Sequence, residues 1–315
     1  MQDSKLIAIV GATGAQGGGL ARAILEDPQG GFRVRAITRH VDSDKARALA
    51  AAGAELVAAD LDDEASLERA LTGADGAFFV TNYWEHFSPE KEHQQARNMA
   101  QAAKAAHVKH IVWSTLEDTR ERVPLTDDRM PTLMEHYKVP HFDAKGESDV
   151  LFEGLPTTWL RTSFYWDNLI HFGMGPKPGP DGTLQFVLPM DDAKMPGIAS
   201  EDIGRTAYGI FRAGDQFIGK HIAIAGEHLN GTEMAQQLGD ALGREVRHAA
   251  VSPAEFREFG FPGADDLGNM FQYYRDFETD FRAPRDVEAT RKLNPRLKSF
   301  KDWLQQNASK IPLEG

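Results

Sequence analysis

Three glycines spaced three residues apart, Gly11, Gly14 and Gly17, follow a short apolar run at residues 6–10 and precede a helix-forming stretch at residues 20–25. Strand, glycine turn and helix in that order make a phosphate cradle. Gly11 permits the tight turn, Gly14 lets the backbone approach a pyrophosphate, and Gly17 lets the helix pack close to the strand. Thr13, Ala15 and Gln16 fill the turn and the helix start, where free N–H groups and the positive end of the helix dipole favour an anion. A bare glycine pattern is common, but this one has the context that dinucleotide binding requires.

In an open α/β sheet the ligand lies beyond the carboxyl ends of the strands, so the residues there are the next candidates. After the second strand comes Arg39, with no acid directly beside it in sequence. A cation there suits the 2′-phosphate of NADP(H), where an acid would suit the 2′-hydroxyl of NAD. Lys45 is a second cation nearby, diluted by Asp42 and Asp44. The third strand ends in Asp60 and Leu61. Asp60 is suited to accept from an adenine amino group while Leu61 packs on the ring; a helix cap at Asp62 or Asp63 is compatible with both. Val80, Thr81, Asn82 and Tyr83 end the fourth strand. Val80 and Thr81 are placed to flank the adenosine ribose, and the Tyr83-Trp84 pair either packs locally or touches the ligand.

Those residues need a scaffold, and the chain alternates accordingly. Strand-like runs at 33–38, 55–59, 76–80 and 110–114 are separated by helix-like runs at 43–52, 64–71 and 89–106. Short joins between them imply βαβ units, hence a Rossmann-type, doubly wound parallel sheet with helices on both faces. Residues 116–137 read as a long loop or flap, 140–152 as a helix, 157–161 and 221–224 as further sheet strands, and GMGPKPGPDG at 173–182 as a loop. Helical runs at 232–242, 253–260, 265–277, 286–293 and 299–307 suggest a smaller, mostly helical C-terminal lobe. The expected division is a dinucleotide-binding domain over 1–155, and 156–315 interleaving the last strands with the lobe.

The segments GATGAQGG, RAITR, AADLDD, VTNYWE and HFDAKGE occur in that order, with FPGADDLGNMFQYY near the C-terminus. Together they resemble the NmrA-like group of atypical short-chain dehydrogenases/reductases, closest to its NADPH-sensor type, over nearly the whole chain. The resemblance implies an NADP-binding Rossmann domain and a role in sensing the NADPH/NADP ratio through a regulatory protein partner, with weak or no turnover. A short-chain reductase uses serine to hold a carbonyl, tyrosine to donate a proton, and lysine one helical turn on to hold the nicotinamide ribose. Ser114 and Lys145 match the serine and the lysine, but His141 stands where the tyrosine would be. Residues four apart share a helix face, and an imidazole can exchange protons near neutrality, although Lys145 beside it disfavours its charged form. His141 either serves as the acid or packs at the helix start. Related isoflavone-reductase-like ether reductases also lack the tyrosine and keep a lysine, which leaves Lys145 open as the catalytic group. The alternative reading is therefore an NADPH-dependent reductase of a quinone, enone, imine or aryl ether. Tyr137 is a spare phenol, but Pro140 interrupts a continuous helix between it and Lys145. Phe164 and Tyr165 either shield the nicotinamide or pack in the core, and Asn168 is a candidate for orienting substrate.

Composition limits the alternatives. The 315 residues are 41% hydrophobic and 26% charged, as in globular proteins. The absence of cysteine removes disulfides, thiolate nucleophiles and Cys-ligated metals. A net charge of −12 argues against nucleic acid as a partner. No apolar run approaches the ~20 residues that span a bilayer, and the first strand begins without a leader-like segment, so a cytoplasmic setting is expected. His107 and His110 lack a third ligand nearby, so no metal site is expected. NADPH, a small-molecule substrate and a homodimer complete the expected partners.

Overall fold

The computed structural model describes residues 4–313. The first half alternates as the sequence implies: β1 (Lys5–Val10), α1 (Ala15–Leu25), β2 (Phe32–Thr38), α2 (Asp44–Ala51), β3 (Glu55–Ala58), α3 (Glu64–Leu71), β4 (Gly76–Phe79), the short α4 (Tyr83–His86), α5 (Pro89–Ala105) and β5 (His110–Thr115). There follow α6 (Pro140–Ser148), β6 (Thr157–Arg161), β7 (Phe164–Tyr165), α7 (Asn168–His171), β8 (Lys177–Pro178), β9 (Leu184–Val187), β10 (Met195–Ile198), α8 (Ser200–Arg212), β11 (His221–Ala223), β12 (Glu227–Leu229), α9 (Gly231–Leu242), β13 (Val246–Ala249), α10 (Pro253–Arg257) and α11 (Ala264–Asp276). The chain closes with α12 (Glu278–Arg282), α13 (Val287–Leu293) and α14 (Phe300–Asn307).

Seven strands form one parallel sheet in the order β11-β6-β5-β4-β1-β2-β3. Its central strands β4 and β5 are buried throughout, because helices cover both faces. Leu20 and Ile24 of α1 pack with Ile203, Ala207 and Phe211 of α8 on one face. Leu67 and Leu71 of α3 pack with Ala96, Met99 and Ala103 of α5 on the other. The strand order reverses between β1 and β4, so the crevice opens at their carboxyl ends, over the glycine turn.

Helix α8 has no counterpart in the sequence reading, where Gly204 and Gly209 weaken any helix prediction. Tertiary packing uses both: a Cβ on Gly209 would lie 2.1 Å from the Leu293 oxygen. A Cβ on Gly204 would lie 2.2 Å from the Leu20 nitrogen and 2.3 Å from the Gln16 oxygen, and one on Gly19 would lie 2.4 Å from the Glu201 oxygen. The backbones of α1 and α8 therefore touch, which only glycine allows.

The C-terminal portion is helical, as read, but it also holds two three-stranded sheets, β12-β10-β7 and β13-β9-β8. The 173–182 loop contains β8, paired with β9. The helix expected over 140–152 ends at Ser148 and tightens into a 3₁₀ turn at Asp149–Phe152. The 116–137 stretch is a loop, and it is tied down. The buried Lys138 ammonium donates to the carbonyls of Asp127 and Met130, both at 2.8 Å. From α11, Asn269 Nδ2 donates to the Pro131 carbonyl at 2.9 Å and Gln272 Nε2 to the Arg129 carbonyl at 2.6 Å.

Candidate cofactor cleft and active site

The glycine turn is shaped by contacts that exclude side chains. Gly11 sits at φ +66°, in the left-handed region, with Val80 Cγ1 3.2 Å from where its Cβ would be. A Cβ on Gly17 would lie 2.5 Å from the Gly11 oxygen, so α1 starts directly against the turn. Gly14 caps α1 with no side-chain hydrogen bond, whereas α2, α3 and α5 are capped by Ser43, Asp63 and Ser88. The first-turn N–H groups at Ala15, Gln16 and Gly17 thus lack a side-chain acceptor, and the cradle fits a pyrophosphate. Thr13 lies in the same turn.

Gln16 links this turn to the strand ends. Its Oε1 accepts from Ser114 Oγ at 2.8 Å, and its Nε2 donates to the Tyr165 hydroxyl at 2.5 Å. Ser114 is buried and already bonded. The two aromatics after β6 separate: Tyr165 reaches the turn through Gln16, while Phe164 is buried against Phe271 of α11, 6.1 Å between ring centres.

At the adenosine end, Arg39 is not free. Its Nη1 lies 2.6 Å from Glu85 Oε1, an acid 46 residues away that sequence proximity could not reveal. Asp60 Oδ1 accepts from the Asp62 backbone at 3.0 Å, and the cap of α3 is Asp63. Leu61 is half-buried, and its carbonyl accepts from Asn98 Nδ2 at 2.7 Å. Asn82 is exposed at the start of α4. Tyr83 is buried among Trp84, His86, Phe87 and His141.

Helix α6 presents Lys145 and His141, each with its own carboxylate. Lys145 Nζ donates to Thr81 Oγ1 at 2.5 Å and to the Thr81 carbonyl at 3.3 Å, and it pairs with Glu92 Oε1 at 2.5 Å. Glu92 is completely buried. Burial alone would raise its pKa, but the charge of Lys145 and hydrogen bonds from its neighbours outweigh that and hold it at about 2. His86 Nε2 approaches the other Glu92 oxygen at 3.4 Å.

His141 Nδ1 lies 2.6 Å from Asp266 Oδ1, and the His141 backbone N–H donates to Asp266 Oδ2 at 3.1 Å. Asp266 comes from α11, 125 residues away. The carboxylate places a proton on Nδ1 and leaves Nε2 as the exchangeable nitrogen. No hydrogen bond is made by Nε2 among the described residues, and the His141 side chain is 8% exposed.

Beside this pair lies a cleft of about 340 Å³, with Tyr83, Phe87, Met134, Arg257, Phe261 and Asp266 in its wall. Phe87, Met134 and Phe261 are exposed at its rim. Asn168 begins α7 and is half-buried. A larger cavity of about 640 Å³ lies away from these residues, between α8, β11 and α13. His110 is buried against Thr158 Oγ1 at 2.9 Å, and no metal-binding group of three acids or histidines occurs among the described residues.

The NmrA-like family matches residues 3–304. The chain belongs to the NmrA-like family. It is 30% identical over 302 residues to the NmrA-like family domain-containing oxidoreductase FrzB of a Cladobotryum species, covering 90% of this chain and 88% of that protein. It is 27% identical over 247 residues to the NAD(P)H azoreductase of Xenophilus azovorans, covering 78% of this chain and 77% of that protein. Its fold matches the crystal structure of NmrA, a negative transcriptional regulator, in complex with NADP (TM-score 0.76, 23% identity, 98% and 96% of the two chains). It also matches Citrobacter triphenylmethane reductase complexed with NADP(H) (TM-score 0.74, 22% identity, 95% and 99% covered). Both of these neighbours are crystallised with NADP or NADP(H), and the glycine cradle of this chain fits the pyrophosphate of such a cofactor. No helix among the described residues is long and apolar enough to cross a membrane.

Proposed function

We propose that this protein is an NADPH-dependent reductase of a flat, unsaturated substrate such as a quinone, enone or imine. The observation that carries the reading is the His141–Asp266 pair, one helical turn before Lys145 and beside an aromatic-walled cleft. NADPH, when bound, supplies a hydride. The chain has to supply the accompanying proton and hold both partners. The glycine cradle binds the pyrophosphate, Lys145 Nζ turns from Thr81 toward the ribose hydroxyls, and Glu92 keeps its charge compensated. His141 Nε2–H gives the proton to the reduced substrate, and Asp266 stabilises the imidazole through Nδ1. The aromatic side chains of the wall and rim take the face of a planar substrate. Relatives named as oxidoreductases support the same reading.

The test follows NADPH consumption over a panel of quinones, enones, imines and aryl ethers, with NADPH affinity measured separately by fluorescence titration. Asp266→Asn should lower turnover by about 10²–10⁴ and change its pH profile while leaving the NADPH Kd within about twofold. Lys145→Ala should lower both turnover and affinity. Tight NADPH binding with no consumption across the panel would overturn the reductase reading in favour of a regulatory one, in which a protein partner distinguishes the NADPH-bound from the NADP-bound form.

A further inference from the structure

We infer that Glu85 is a built-in competitor for the 2′-phosphate of the cofactor, so that the Arg39–Glu85 ion pair sets the choice between NADPH and NADH. The inference rests on the cofactor reading of the cleft and is independent of turnover. Arg39 stands one residue beyond β2, and Glu85 lies in α4, just beyond β4. Strand β1 runs between β2 and β4 in the sheet. The 2.6 Å ion pair therefore crosses the carboxyl end of the strand that leads into the glycine turn.

The surrounding charges make Arg39 the group on which phosphate recognition depends. Lys91, another cation near these strand ends, is paired with Asp62 at 2.5 Å. Asp60 and Asp62 add negative charge around Arg39, so a phosphate dianion meets an acidic surround with one guanidinium at its centre. Both members of the pair are about half exposed, at 53% and 48%. Pairs of that kind are weak and exchange readily, so a phosphate can take Arg39. Glu85 then remains close by, unpaired and like-charged to the phosphate, which lowers the gain. With NADH the same carboxylate is free to accept a hydrogen bond from a ribose hydroxyl while Arg39 stays paired. The site thus binds both cofactors with a narrow preference, and Glu85 is the residue that narrows it.

The experiment measures the Kd of NADPH and of NADH by titration of the full chain, for the wild type, Glu85→Gln, Glu85→Asp, Arg39→Ala and the double variant Arg39→Ala/Glu85→Gln. Glu85→Gln should raise the NADPH preference by about fivefold, the range of a released exposed ion pair, and Arg39→Ala should abolish the preference. Glu85→Asp, with its shorter reach, should fall between the wild type and Glu85→Gln. In the double variant the Glu85 change should shift the ratio less than it does in the wild type, because its competition for Arg39 is gone and only its direct effects on phosphate and ribose remain. An unchanged NADPH/NADH ratio in Glu85→Gln, or an equal effect of that change with and without Arg39, would overturn the inference. Loss of turnover with these ratios intact would count against the reductase reading alone.

Discussion

Gly204→Ala tests whether a helix with no recognisable motif controls the cofactor cleft. The added methyl would sit 2.2 Å from the Leu20 nitrogen, where ordinary contact begins at 3.4 Å, so α1 and α8 must part by about 1.2 Å at that point. The opposing atoms are backbone in the first turns of α1, and no side chain can swing away. Forced overpacking of this kind costs roughly 1–3 kcal/mol, which for a chain of this size lowers Tm by several degrees at about 2–4 °C per kcal/mol. The displaced turn includes Gln16, which joins Ser114 and Tyr165, and it borders the cradle at Gly17. NADPH affinity should therefore fall about tenfold, equivalent to about 1.4 kcal/mol. Differential scanning fluorimetry with and without NADPH reads both effects. Gly73→Ala, at φ +76° with nothing within 4 Å, isolates backbone strain from collision. Unchanged Tm and Kd in Gly204→Ala would refute the argument that these backbones are in contact.

Two further outcomes concern buried charge. Burial pushes the Asp149 carboxyl up to about 7, against hydrogen bonds from Thr115 and Trp113 and the charge of Arg161 at 3.9 Å. A carboxyl raised in the folded state favours folding fully below 3.8 and loses that contribution as pH rises through about 7. Asp149→Asn keeps an acceptor for Trp113 and Thr115, so denaturant titrations from pH 5 to 9 should show its stability gaining on the wild type as pH rises, by at most about 3 kcal/mol over that range; parallel curves would contradict this. Glu92 has the opposite sign: its contribution is present above 4.5 and is lost as pH falls toward about 2. Glu92→Gln strands the Lys145 charge among buried neighbours and should cost about 3–5 kcal/mol at pH 7, measured by urea unfolding; a loss below about 1 kcal/mol would mean the pair is effectively solvated.

The alternation of strands and helices was legible because each element in the first half carries its own signal: apolar runs long enough to show buried strands, Ser43, Asp63 and Ser88 at helix starts, and glycine where the chain must turn. The two small sheets were not, since strands of two to four residues, such as β7, β8 and β10, are too short to display an alternating period. Helix α8 was hidden by the glycines that let it pack. Phe164 and Tyr165 could be named as neighbours of the cleft, but not told apart, because which of two adjacent aromatics faces inward depends on what α11 offers opposite.

The glycine spacing, the lysine of α6 and the histidine one turn before it are local facts, and local chemistry was enough to read a dinucleotide cradle and a departure from tyrosine-based proton transfer. The partners of those groups are not local. Asp266 meets His141 across 125 residues, and Glu85 meets Arg39 across 46. A carboxylate acts over a few ångströms, so which acid His141 meets, and whether Arg39 is free or clasped, was decided only when folding brought α11 onto α6 and the end of β4 beside the end of β2.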